Sequence, residues 1–296
     1  MEMALSELSL VLFTTLAPAG IAGYLVMAAF GLMAPDGAAA RASRYLVVPL
    51  AIAITGLIAS ATHLGTPANA LYVLAGLGRS PLSNEVVAVV GFLAVGGVYW
   101  MLSFGDRLGR AARRAWLVAA IATGLVALLM ISLAYSVGTV PTWSLPMAPL
   151  TLWLGAAGPG AAVGLLGLLA SGQRLPRSFA AAVLGAAAAL SVADGLALWL
   201  EWEALGAIQT TVQRAADLVP HLPLVAVGYP VAALALLLGT ARALAVAARR
   251  GDAASPDGGA GAARAVVGAG ACCAGLLAAC FAVRFCFYAM YMTAGV

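Results

Sequence analysis

The sequence predicts an all-α integral membrane protein: a bundle of eight transmembrane helices with both termini on the outer, periplasmic side. Three observations lead there. Of the 296 residues 64% are hydrophobic and 9% charged, with a mean hydropathy of +1.03, whereas soluble domains carry about 25% charged residues. Apolar stretches long enough to cross a hydrocarbon core of about 30 Å, roughly 20 residues each, recur eight times. Of the 15 basic residues, all arginine, twelve gather in alternate connections.

The predicted spans are about 9–33, 45–64, 84–104, 114–137, 147–171, 178–200, 222–248 and 265–290. Lipid offers no partners to backbone N–H and C=O groups, and runs this long and continuous exclude the alternating strands of a barrel, so each span is a helix. The first follows an N-terminus without a basic region and reads as a retained span, not a signal peptide. The second enters after Arg41 and Arg44 and leaves at His63. The third opens behind Ser83, a good N-cap, with Glu85 in its first turn. The fourth follows Arg107, Arg110, Arg113 and Arg114. The fifth holds Gly160 and Gly164, a small-residue pair that lets a neighbouring helix approach closely. The sixth follows Arg174 and Arg177 and carries Asp194 in its outer half. The seventh opens behind Pro220-His221 and runs to Arg242, Arg249 and Arg250. The eighth, after Arg264, holds Cys272, Cys273, Cys280, Cys286 and Arg284.

Twelve of the arginines thus share one side, against Arg79 and Arg214 on the other, which the positive-inside rule makes the outside. Glu2, Glu7, Glu201, Glu203 and Asp217 are expected on that outer side. Short connections leave no room for a soluble domain, so residues 1–296 form a single membrane domain. The inner connection 249–264 reads as a flexible linker. The outer ones, 65–83, 138–146 and 201–221 with its amphipathic stretch Ala204 to Val219, are richer in Pro, Trp and Asn and better suited to docking a partner.

One polar cluster stands out. Ala61-Thr62-His63-Leu64-Gly65-Thr66-Pro67 and Ser80-Pro81-Leu82-Ser83-Asn84-Glu85 put a histidine and a carboxylate at a membrane boundary, where such groups are costly unless paired, solvated or used. The helix dipole favours an ionised Glu85 at a helix start and a protonated His63 at a helix end. Two groups that each take one proton suit a quinol, a lipid-soluble ring that sheds two protons and two electrons. The same two residues equally suit interfacial side chains snorkelling to water.

Other signals point elsewhere. His63 and His221 could ligate a b-type haem, although both sit at the interface and a ligating histidine needs an orienting partner. The four cysteines lack the tight groupings of iron-sulfur ligands, and a buried thiol acts as a small hydrophobe. No metal site is expected. A small-solute or proton-coupled transporter would place its ionisable groups near the midplane of repeated halves; here they gather at one face without a visible repeat.

His63-Leu64-Gly65 with Pro67, the Leu82-Ser83-Asn84-Glu85 segment and Thr139-Val140-Pro141-Thr142-Trp143 resemble the DmsC family, the membrane anchor subunits of dimethyl sulfoxide reductase. So do Val212-Gln213, Ala215-Ala216, Leu218-Val219-Pro220 and the ending with Arg284, Phe287-Tyr288, Met292-Thr293 and Gly295. The resemblance implies a haem-free and cluster-free subunit of the bacterial or archaeal cytoplasmic (inner) membrane. It would bind menaquinol in anaerobic respiration and pass electrons to an iron-sulfur subunit, which feeds a molybdopterin catalytic subunit on the outer face. The terminal acceptor would be reduced on that partner, not on this chain, and no nucleic acid is involved. The family's quinol-linked histidine and glutamate correspond to His63 and Glu85. Arg284, Tyr135 and Tyr288 lie at similar depth and are expected to support the quinol, with a structural counter-ion (Arg284) or an interfacial aromatic belt (the tyrosines) as the plainer readings. Thr142 and Trp143 are expected to shape the outer loop or the partner interface.

Overall fold

The computed structural model describes residues 2–62, 67–105, 108–211, 213–250 and 258–293. Their helices are α1 (Glu2–Ser6), α2 (Leu8–Met33), α3 (Asp36–Arg44), α4 (Val47–Ala61), α5 (Pro81–Leu102), α6 (Arg110–Ala134), α7 (Met147–Gly155), α8 (Ala157–Ala170), α9 (Arg177–Leu205), α10 (Ala215–Leu218), α11 (Leu222–Arg250) and α12 (Gly258–Ala289). Taking α3 with α4 and α7 with α8, eight stretches are long and apolar enough to cross a membrane. A 3-10 helix, Pro67–Gly76, leads from α4 toward α5. The described residues contain no β-strand, and Gln209 and Arg214 form an isolated bridge.

Two spans form the centre. In α2 and in α7–α8, 67% and 78% of the most apolar stretch is buried, against 28–39% in the other six. Glycine lets these two meet. A Cβ on Gly164 would fall 2.7 Å from Val26 Cβ and 2.8 Å from the Gly23 carbonyl oxygen, and one on Gly23 would fall 2.6 Å from Val163 Cγ1. The partner of the Gly160/Gly164 face is therefore α2. The surrounding helices turn Ile58, Val118, Leu196, Leu224 and Val231 outward, which costs nothing where the solvent is lipid, as apolar as the side chains themselves.

Two ends of the bundle are chemically distinct. At one, Asp36 is ion-paired with Arg110, its Oδ1 3.3 Å from Nε, and with Arg113, while Arg114 Nη2 donates to the Leu32 carbonyl at 3.5 Å. Trp100 Nε1 donates to the Arg44 carbonyl at 2.9 Å. These contacts gather two of the arginine-bearing connections at a single end. The opposite end brings together the start of α2, the ends of α6 and α12, and the connection carrying Trp143.

Three local expectations change. Helix α5 starts at Pro81, where the missing N–H and fixed φ suit a first helical position. Ser80 is the N-cap, its hydroxyl accepting from the Ser83 amide at 3.4 Å. Ser83 is then an internal, buried residue, and Glu85 lies in the second turn; the first turn holds no acid. Its proximity to the helix dipole is correspondingly lost. Helix α9 continues to Leu205 and takes Glu201 inside as a fully buried residue, not as a loop acid. The stretch 204–219 is not one amphipathic helix: it divides into the end of α9, the Gln209–Arg214 bridge and α10. Helix α4 ends at Ala61, with Thr62 as the C-cap and its hydroxyl donating to the Ala59 carbonyl at 2.7 Å. His63, Leu64, Gly65, Thr66, Arg107, Val212, Gly295 and residues 251–257 of the predicted 249–264 linker lie outside the described residues.

Candidate functional site

Glu85 is held by the segment that precedes it. Gly78 adopts a left-handed φ of +76°, which glycine tolerates without strain, and its amide donates to Asn84 Oδ1 at 2.7 Å. The Ser80 cap, Pro81 and this side-chain clamp fix the entry of α5. They direct Glu85 into the bundle, where it is 1% exposed and its Oε1 has no hydrogen-bond partner among the described residues.

Two tyrosines lie within electrostatic reach of this carboxyl. Tyr135 follows α6, Tyr288 lies one residue from the end of α12, and both are buried. Their rings meet edge to face with centroids 5.8 Å apart, and both hydroxyls are within electrostatic reach of Glu85. The Tyr288 hydroxyl donates to the Leu10 carbonyl at 3.4 Å. Neither belongs to an exposed aromatic belt.

Trp143 closes the cluster. Its indole stacks on Phe287 with centroids 4.9 Å apart and planes 16° from parallel, and meets Tyr135, Tyr288 and Tyr291 edge-on. Indole Nε1 donates to the Phe287 carbonyl at 3.1 Å, one of the final-turn carbonyls that a helix leaves unsatisfied. Trp143 thus packs into the site as well as shaping the connection. The clue in the sequence was a large aromatic in a Pro- and Thr-rich segment, next to Thr142, which is itself fully buried.

Arg284 is 2% exposed, with its guanidinium carbon 5.6 Å from the centre of the Phe287 ring. Its counter-charges are not Glu85. They are Asp194 and Glu201 of α9, both fully buried and both within its electrostatic reach. Asp194 was legible as a polar residue within a span, whereas Glu201 was hidden by its position beyond the expected helix end. The structure therefore brings together Glu85, Tyr135, Tyr288 and Arg284, and adds Trp143, Asp194 and Glu201.

Among the described residues no group of three His, Cys, Asp or Glu side chains could hold a metal ion. His221 is exposed in the turn before α11. Cys273 and Cys280 are buried, and Cys272 and Cys286 half-buried, all as free thiols.

The fold and site define an all-helical, multi-pass membrane protein with a buried cluster of carboxyl, phenol and guanidinium groups at one end of its bundle. The chain belongs to the DMSO reductase anchor subunit (DmsC) family, whose model matches residues 1–253. It is 33% identical over 223 residues to the C chain of the anaerobic dimethyl sulfoxide reductase of Escherichia coli (strain K12), covering 72% of this sequence and 75% of that one. Against the YnfH chain of an anaerobic dimethyl sulfoxide reductase of the same organism the identity is 31%, with the same coverage. Against the corresponding C chain of Haemophilus influenzae (strain ATCC 51907 / DSM 11121 / KW20 / Rd) it is 28%, over 77% of this sequence and 81% of that one. The region that the family model matches takes in Glu85, Tyr135, Trp143, Asp194 and Glu201 and ends before α12, which contributes Arg284 and Tyr288. Membership in an anchor family implies catalytic and electron-transfer partner subunits.

Proposed function

We propose that this protein oxidises menaquinol at the outer face of the cytoplasmic membrane and passes the electrons to an iron-sulfur subunit, which feeds a molybdopterin catalytic subunit docked there. The carrying observation is that Glu85, Tyr135 and Tyr288, from three different spans, gather in one buried polar cluster at the end opposite the Asp36–arginine contacts. The arginine distribution supports placing that end, and both termini, outside.

The chemistry follows from the residue types. Glu85 accepts a proton from a quinol hydroxyl, and His63, which follows the α4 cap in sequence, accepts the other; protons leave outward as electrons enter the partner. Tyr135 and Tyr288 hydrogen-bond the ring oxygens, and the Trp143–Phe287 stack provides an apolar wall for the flat ring. Arg284 supports the site through the electrostatic reach it shares with Tyr288. A quinol brings its own two electrons and two protons, so the protein needs only to hold the ring and receive protons.

The break between α7 and α8 beside buried Asp194 and Arg284 also fits a proton-coupled transporter, since transporters bind substrate at discontinuous spans. Family membership and the gathering of these groups at one end favour the quinol reading. The assembled complex tests it. Glu85→Gln and His63→Ala are expected to abolish turnover driven by menaquinol while turnover driven by a water-soluble viologen, which reduces the metal subunits directly, stays normal. Normal quinol-driven rates in both variants would overturn the site; quinol-independent solute uptake by vesicles holding this protein alone would favour the transporter.

A further inference from the structure

Two carboxyls and one guanidinium are buried together beside the quinol pocket without direct partners. Asp194 and Glu201 are seven residues apart on α9 and so share one face. Both are fully buried, and neither carboxyl has a hydrogen-bond partner among the described residues; nor does Arg284 Nη2. Asp194 and Arg284 both border Gly155: a Cβ placed there would lie 3.1 Å from Asp194 Oδ2 and 3.9 Å from Arg284 Nη2. Ser191 from α9, Tyr229 from α11 and Cys280 from α12 lie beside this trio, and Cys286 and Tyr288 are within electrostatic reach of Arg284. Arg284 and Tyr288 are one turn apart on α12, and Tyr288 is within reach of both Arg284 and Glu85.

Charge balance sets the consequence. Arginine stays protonated in proteins, and a buried charge without compensation is costly. One guanidinium is neutralised by one carboxylate, so the second carboxyl is neutral only when it carries a proton. We propose that Asp194, Glu201 and Arg284 form a second protonatable site that holds one exchangeable proton, on one or other carboxyl, and receives it from the quinol pocket. The inference rests on the quinol reading for the source of that proton. In the balanced step a quinol gives two electrons, one at a time, to the partner's iron-sulfur subunit and two protons to Glu85 and His63. One of these protons leaves outward directly; the other passes on to reload the α9 pair after its proton has passed outward past Glu201, one turn from the end of α9.

Infrared spectra of the purified complex in water and in D2O test this. The wild type is expected to show a carboxylic-acid C=O band that shifts in D2O and disappears in Asp194→Asn and equally in Glu201→Gln, because either single amide leaves one carboxylate for Arg284. If both variants keep every carboxylic-acid band, the site holds no proton and the proposal fails. The double variant, which strands Arg284, is expected not to assemble, and adding Arg284→Met is expected to restore assembly; a stable double variant would overturn the charge balance. Menaquinol is expected to perturb the band, and the single amides to lower quinol-driven turnover on the order of 10²-fold, the low end of general-base contributions. A band present yet unmoved by a quinol that is being oxidised would overturn the relay. A band present in a complex that oxidises no quinol would sink the quinol reading and leave the protonated pair standing.

Discussion

Pro159 has no amide to offer the carbonyl of Gly155, and other helices take that carbonyl instead. In a continuous helix the residue at position 159 would donate to it. Here the Tyr229 hydroxyl donates from 3.5 Å and the Cys280 thiol from 3.6 Å, while the next bond of the ladder, Gly160 to Ala156, forms normally at 2.9 Å. The division of the central span into α7 and α8 is thus a local consequence of one proline, re-satisfied by neighbouring helices as lipid requires.

Tyr229→Phe is therefore expected to cost about 1 kcal/mol, the net worth of an ordinary hydrogen bond. In a Pro159→Ala background the restored amide claims the Gly155 carbonyl, and the same substitution should cost close to nothing. A double-mutant cycle on denaturation of the purified complex reads the difference; equal costs in both backgrounds would contradict the exchange.

Trp143 is expected to anchor the end of the bundle opposite the Asp36–arginine contacts. Trp143→Ala removes the stack on Phe287 and the indole hydrogen bond and should destabilise the protein by about 3–5 kcal/mol. Trp143→Phe keeps a ring on Phe287 and loses the donor, so its cost should be nearer 1 kcal/mol. Thermal unfolding of the two variants, compared with wild type, gives the ranking.

Gly164→Leu is expected to prevent assembly of the complex, because the added side chain enters space already occupied by Val26 and the Gly23 backbone. Gly185→Leu, at an exposed position with nothing near its Cβ site, should assemble at wild-type levels. Blue-native gels of membranes distinguish the two.

Orientation follows from single introduced cysteines, since the native thiols all lie within α12. Ser6→Cys should react with a membrane-impermeant maleimide in intact cells, and Gly109→Cys only after permeabilisation. The reverse pattern would place the Glu85 end of the bundle at the inner face.

The number of spans was legible because membrane crossing depends on length and polarity, both of which are local. The elements that escaped were decided at helix ends. Glu201 looked like a loop acid because hydropathy falls after residue 200, yet α9 continues to Leu205, where Arg284 lies within electrostatic reach to offset its charge. Ser83 looked like a cap because a serine preceded the apolar run, but Ser80 and Pro81 start the helix one turn earlier. The Tyr135–Tyr288 pair was visible only as two tyrosines near one depth; nothing in their spacing says that α6 and α12 adjoin there.

By itself, then, the sequence determined an eight-span helical membrane protein, its charged and uncharged connections and the prominence of Glu85 as an acid at a boundary, because lipid rewards continuous apolar helices and penalises stray charge. Tertiary structure decided which groups lie within electrostatic reach of Glu85, that Arg284 lies within reach of Asp194 and Glu201 and not of Glu85, and that Trp143 joins the Tyr135–Tyr288–Phe287 cluster. The physical reason is that hydrophobicity selects which segments enter the membrane but not their neighbours. In lipid the choice of neighbour falls to close packing at glycines such as Gly23 and Gly164 and to the few buried polar groups that must compensate one another.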